Sequence, residues 1–109
     1  MGPAPEIVPA EAAAEIAAGA LVVDVRETVE WDAGHISDAL LIPLGELGSR
    51  VDELPRDRRM VIVCRTGSRS GYVADALHNA GYDVANLRGG LVAWTAGSLP
   101  LEPAGGYVV

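Results

Sequence analysis

Val61-Ile62-Val63-Cys64-Arg65-Thr66-Gly67-Ser68-Arg69-Ser70 joins an apolar run to a short loop of glycine, hydroxyl and guanidinium groups, with the chain's only cysteine at the junction. Met60 to Val63 is continuously apolar and rich in β-branched residues, the pattern of a strand buried on both faces. From Ser70 to Ala80 apolar residues recur at Tyr72, Val73, Ala76, Leu77 and Ala80, the spacing of one helix face, and Gly81 stands where a C-terminal cap is expected. Strand, tight turn and helix together predict a turn at the carboxyl edge of a parallel sheet, where open α/β folds bind ligands.

A free cysteine has a reference pKa of about 8.5 and is mostly thiol at neutral pH, so a nucleophilic role requires local positive potential. Three sources meet here: the unpaired N–H groups of the following helix terminus and the guanidinium groups of Arg65 and Arg69. A helix terminus alone supplies roughly 0.3–2 kcal/mol, comparable with the ~1.4 kcal/mol that shifts a pKa by one unit. Gly67 and the small residues Thr66, Ser68 and Ser70 let the loop curl so that successive amides face inward as an anion-binding nest.

These residues resemble the rhodanese family of sulfurtransferases, and the resemblance extends beyond the loop. Asp24-Val25-Arg26-Glu27, Glu30, Gly34-His35-Ile36, Ala39 and Ile42-Pro43-Leu44 upstream, with Leu87-Arg88-Gly89-Gly90 and Ala93-Trp94 downstream, are similar to that family's landmarks in their usual order. The likeness spans roughly positions 6 to 100. Cysteine-dependent phosphatases resemble a different pattern, with one more residue between cysteine and arginine to fit a tetrahedral phosphate. Here four residues separate Cys64 from Arg69, position 70 is serine, and Val63 replaces the histidine those enzymes often carry. Sulfur transfer therefore ranks above dephosphorylation or arsenate reduction.

The 109 residues are a one-domain length, with a core over about 6–100 and a tail over 101–109. Half the residues are hydrophobic, yet no apolar run approaches the ~20 residues of a membrane span. The N-terminus lacks a basic segment followed by an apolar stretch, so no secretory signal is expected. One cysteine makes no internal disulfide, and a reducing cytoplasmic location is the expectation. A net charge of −7 argues against nucleic acid as a partner and makes the cations beside Cys64 more telling.

Strands are expected at Glu6-Ile7-Val8, Ala20 to Val25, Asp38 to Ile42, Met60 to Val63 and Asp83 to Leu87. Pro9 opens an Ala-rich packing helix running to Ala18, with Gly19 as its stop. A short helix is expected over Glu27 to Ala33, with Val29 and Trp31 supplying apolar contact. Leu44, Leu47 and Val51 give a weak helical spacing, and Gly89-Gly90 opens a last helix with Leu91 and Trp94 facing inward. Arg56-Asp57-Arg58-Arg59 reads as a solvated turn, and Leu99 to Val109 shows no clear element.

Arg69 is assigned to anion contact, with a cap or an acid pair as its alternative; Arg65 either touches substrate or acts only through its field. Asp24 and Arg26 read as a structural ion pair bracing the loop. His35 has no partner at ligand spacing and reads as a hydrogen-bonded structural residue, His78 as surface, and Trp31 and Trp94 as core anchors.

The resemblance implies a three-layer α/β/α fold with a five-stranded parallel sheet in the order 3-2-4-5-1. It also implies that the Cys64 thiolate takes sulfane sulfur from thiosulfate or a persulfide and passes it, as a Cys64 persulfide, to cyanide or a thiol, small or on a protein. Arg65, Thr66, Gly67, Ser68, Arg69 and Ser70 then hold the anion, and neither a metal nor an organic cofactor is implied. A non-catalytic interaction module is the competing reading.

Overall fold

Apolar runs too short to bury themselves alternate with helical stretches, and parallel pairing with helical crossovers is how such a chain covers both faces of a sheet. The computed structural model describes residues 2–109. Strands β1 (Glu6–Ile7), β2 (Leu21–Asp24), β3 (Leu40–Leu41), β4 (Met60–Val63) and β5 (Val84–Leu87) form one sheet in the order β1-β5-β4-β2-β3, with every pair parallel. This is the expected order 3-2-4-5-1 read from the other edge. The helices are α1 (Pro9–Ala17), α2 (Thr28–Ala33), α3 (Leu47–Arg50) between 3-10 turns at Leu44–Glu46 and Val51–Glu53, α4 (Ser68–Asn79) and α5 (Gly90–Ala96).

Every residue of β4 is buried because β2 and β5 flank it and helices cover both faces. Its side chains alternate between two cores with the two-residue period of a strand. Met60 and Ile62 join Val73, Ala74 and Leu77 of α4, with Leu47 of α3 packed alongside. Val61 and Val63 join Ala12 of α1 and Leu91 and Trp94 of α5. Each large apolar side chain so buried contributes about 1.5–3 kcal/mol relative to exposure. No helix among the described residues is long and apolar enough to cross a membrane.

Several expectations need correction. Helix α4 starts at Ser68 rather than Ser70, and its buried stripe is Ser70, Val73, Ala74 and Leu77. Tyr72 is 73% exposed, and Ala76 and Ala80 also face solvent. The stripe begins on a serine, so its polar first member hides the true phase of the helix. In α2, Val29 is 75% exposed, and Trp31 is half-buried, stacked on His35 with ring centroids 3.7 Å apart, rather than anchored in the core. Strand β3 shrinks to two residues because Asp38 has φ 62°, left-handed backbone that cannot continue a strand.

The Arg56–Arg59 turn is exposed from Arg56 to Arg58, but its arginines are not merely solvated. Arg56 donates to the Ala80 carbonyl and stacks 4.1 Å above the Tyr82 ring, Arg58 donates to the Gly19 carbonyl, and Arg59 pairs with Glu15 and Asp83. These bonds close the edge of the sheet opposite Cys64.

The tail from Leu99 lies against the body. Trp94 is buried and donates from Nε1 to the Pro100 carbonyl at 2.9 Å, His35 and Glu102 exchange backbone hydrogen bonds, and the Tyr107 amide donates to the Ala33 carbonyl at 3.0 Å. Gly34 permits this approach, since a Cβ there would meet the Tyr107 backbone N at 2.7 Å and O at 2.8 Å. Gly34→Ala is expected to lower stability by about 1–3 kcal/mol in urea unfolding and to speed hydrogen exchange at the Tyr107 amide.

Candidate functional site

The register of β2 against β4 sets Asp24 beside Val63, so the residues that follow each strand emerge together at one edge. Arg26 is fully buried, as is Asp24, and a buried guanidinium is tolerable only when its donors are answered. Arg26 grips the Asp24 carboxylate from Nε at 3.0 Å and Nη2 at 2.8 Å, and donates to the carbonyls of Gly34 at 2.8 Å and Glu30 at 3.3 Å. The sequence-level pair of Asp24 and Arg26 is thus a brace that fixes α2 on the end of β2.

Cys64 follows β4 directly and is 1% exposed, packed at the margin of the α3/α4 core. Its sulfur is not enclosed by alkyl groups alone. The Gly67 amide donates to Sγ at 3.1 Å and the buried Ser70 hydroxyl donates at 3.2 Å. Gly67 caps α4 with φ 102°, a left-handed conformation natural to glycine, and this turn aims its amide back at the sulfur. Burial pushes the Cys64 thiol up, but the Ser70 hydroxyl and the amides of Ser70, Gly67 and Thr66 outweigh it, leaving its pKa below the ordinary thiol value.

The turn after β5 moulds the loop from the other side. The Leu91 amide donates to the Cys64 carbonyl at 2.9 Å and the Val92 amide to the Arg65 carbonyl at 3.0 Å. A Cβ on Gly90 would lie 2.5 Å from the Arg65 carbonyl oxygen, so only glycine lets the two turns nest. Asn86 of β5 donates from Nδ2 to the Gly67 carbonyl at 3.2 Å and to Glu6 at 3.0 Å.

Of the residues read from sequence, Cys64, Gly67 and Ser70 come together, with Asp24 and Arg26 behind them. Thr66 on the loop and Ser68 at the start of α4 are exposed. Arg65 is exposed and donates from Nε to the Val109 carbonyl at 2.7 Å. Arg69 is held by an acid: its two terminal nitrogens meet the Glu30 oxygens at 2.7 and 2.9 Å. His35 binds the Trp31 carbonyl through Nδ1, and Arg88 sits exposed beside Glu6.

Glu30, Asn86 and Gly90 were not assigned to the site from sequence. A signal existed for each: Glu30 stands three residues after Glu27 and accepts its amide as in a capping box, Asn86 is polar inside a buried strand, and Gly90 follows another glycine.

The Arg69 guanidinium, against the opposing effect of burial, pulls Glu30 down to about 2 from an ordinary 4.5. Its folded value is depressed, so its contribution to stability is complete above about pH 4.5 and is lost as pH falls toward about 2. Urea unfolding across that window should show a slope that Glu30→Gln flattens. Ser70→Ala should raise the midpoint of the pH profile for Cys64 alkylation by iodoacetamide and slow alkylation severalfold at neutral pH.

A family model described as the rhodanese-like domain matches residues 8–97. A sulfurtransferase of Allochromatium vinosum is 44% identical over 82 residues, which cover 74% of this chain and 77% of that protein. The probable adenylyltransferase/sulfurtransferase MoeZ of Mycobacterium tuberculosis is 46% identical over 76 residues, 67% of this chain but 19% of that protein, so the chain corresponds to one part of a longer relative. A solved rhodanese-related protein from Thermoplasma volcanium superposes with a TM-score of 0.85 at 30% identity, covering 89% of this chain and 96% of that one. The cysteine loop at the carboxyl edge, the strand order and a family match reaching from α1 into α5 converge, and the chain belongs to the rhodanese-like domain family.

Proposed function

We propose that this chain is a sulfurtransferase that carries sulfane sulfur on Cys64 as a persulfide. The observation that carries the reading is the pair of donors on one sulfur, the Gly67 amide at 3.1 Å and the Ser70 hydroxyl at 3.2 Å. Donors fixed in this way stabilise negative charge on sulfur without reorganisation during the reaction. Because they favour the thiolate directly, no general base is needed.

In the first half-reaction the Cys64 thiolate attacks the sulfane sulfur of thiosulfate or of a persulfide. The new sulfur–sulfur bond forms as the donor's own breaks, and sulfite or a thiolate leaves with the electron pair. The Cys64 persulfide anion then rests against the loop amides of Thr66, Gly67 and Ser70. In the second half-reaction cyanide or a thiolate, small or on a protein, attacks the outer sulfur, and Cys64 leaves as the thiolate from which it started. Arg65 supports the far end of an anionic donor, while Asp24 and Arg26 hold the loop's foundation and take no part in bond exchange. A reducing cytoplasmic setting keeps the lone cysteine available between cycles.

Incubation with thiosulfate or a persulfide followed by intact-mass measurement is expected to show a gain of one sulfur atom. Cyanide should remove it, and Cys64→Ala should abolish it. Failure of the wild-type protein to load from either donor would overturn the proposal, and hydrolysis of an aryl phosphate in its place would point to the phosphatase reading.

A further inference from the structure

Four arginines stand at the catalytic edge of the sheet, and their partners differ in kind. Arg26 is matched by Asp24, Arg69 by Glu30 and Arg88 by Glu6, all carboxylates. Arg65 has no side-chain carboxylate partner among the described residues: it is exposed and donates to the backbone oxygen of Val109. Of the two cations that the sequence gives the loop, Arg69 is therefore the one matched by a side-chain carboxylate, in a chain of net charge −7.

The Arg69–Glu30 pair is held from both sides. Both terminal nitrogens of Arg69 are engaged, at 2.7 and 2.9 Å, and the Glu30 side chain is only 15% exposed. Glu30 Oε1 also accepts the Glu27 amide at 3.0 Å, and the Glu30 carbonyl accepts from buried Arg26. Swinging Glu30 aside to free Arg69 would break the first turn of α2 as well as the ion pair. The carboxylate stays ionised at any pH where Cys64 reacts, since its pKa is about 2.

We propose that Glu30 sets the donor selectivity of the Cys64 site: by occupying Arg69 it disfavours a compact dianion such as thiosulfate and favours a persulfide bearing a single negative charge. This assignment rests on the sulfur-transfer reading and names its preferred donor class. Thiosulfate brings two charges within one small ion, and its departing sulfite must also be held, so it depends on free cations more steeply than a monoanionic persulfide does.

The test compares Cys64 loading, followed by intact mass over a range of donor concentrations, with thiosulfate and with 2-hydroxyethyl persulfide. Glu30→Gln removes the charge while glutamine keeps the capping contact. Its half-saturating thiosulfate concentration should fall by roughly three- to tenfold, while that for the persulfide changes by less than about twofold. The double variant Glu30→Gln/Arg69→Gln restores the original charge balance and should return thiosulfate saturation toward the wild-type value. A merely structural role for Glu30 would shift both donors alike and would not be reversed by the second substitution, and that result would overturn the assignment while leaving sulfur transfer intact. Absence of loading from either donor in the wild-type protein would overturn the sulfur-transfer reading itself, and the selectivity assignment with it.

Discussion

A guanidinium with no exposure to water holds the Cys64 edge of the sheet together. Arg26 answers its donors with the Asp24 carboxylate and the carbonyls of Gly34 and Glu30, and in doing so joins the end of β2 to the first turn of α2 and to the residue that follows it. A buried pair of this kind adds little net stability over an apolar pair, but removing one partner strands a charge at about 3–5 kcal/mol. Its value is geometric. With α2 fixed, Glu30 stands where it meets Arg69, and Arg69 sits in the first turn of the helix that presents its amides to Cys64.

The sulfur lies at a boundary between two media. Behind it are Val73 and the apolar core, which raise its pKa; in front are amides and a hydroxyl, which lower it further than burial raises it. Chemistry of this sort needs donors fixed before the substrate arrives, and the fixing is done by backbone fit rather than by side-chain charge. Gly67 turns its amide onto the sulfur, Gly90 lets the β5–α5 turn close against Arg65, and Asn86 holds the Gly67 carbonyl. The whole depends on two parallel strands ending level with each other.

The misread elements share a cause. Tyr72 in α4 and Val29 in α2 are apolar residues left in solvent, and Ser70 is a polar residue placed inside, so a count of apolar spacing found Val73 and Leu77 but rotated the rest of the α4 stripe toward solvent. Ser70 faces inward because the Cys64 sulfur gives its hydroxyl a partner at 3.2 Å, which no local pattern encodes. Trp31 finds its stacking partner in His35 rather than in the core. Asp38 adopts a left-handed conformation that a strand pattern ignores, and the tail acquires order through partners that include Ala33, His35 and Arg65, far away in sequence.

The amino-acid order by itself determined the alternation of strands and helices, the loop at Cys64 and its likeness to one family, because buried strands, helix stops and a four-residue spacing are local signals. The start of α1 at Pro9, β4 and the inward faces of Leu91 and Trp94 followed from the same short-range rules, with α1 ending at Ala17, one residue before the expected Ala18. Tertiary structure alone decided which charges were matched. Arg69 looked available for substrate until α2 brought Glu30 to within 2.7 Å, and Arg65 met the Val109 backbone oxygen 44 residues further along the chain. Charge compensation depends on distance through space, and a chain read in one dimension carries no such distance.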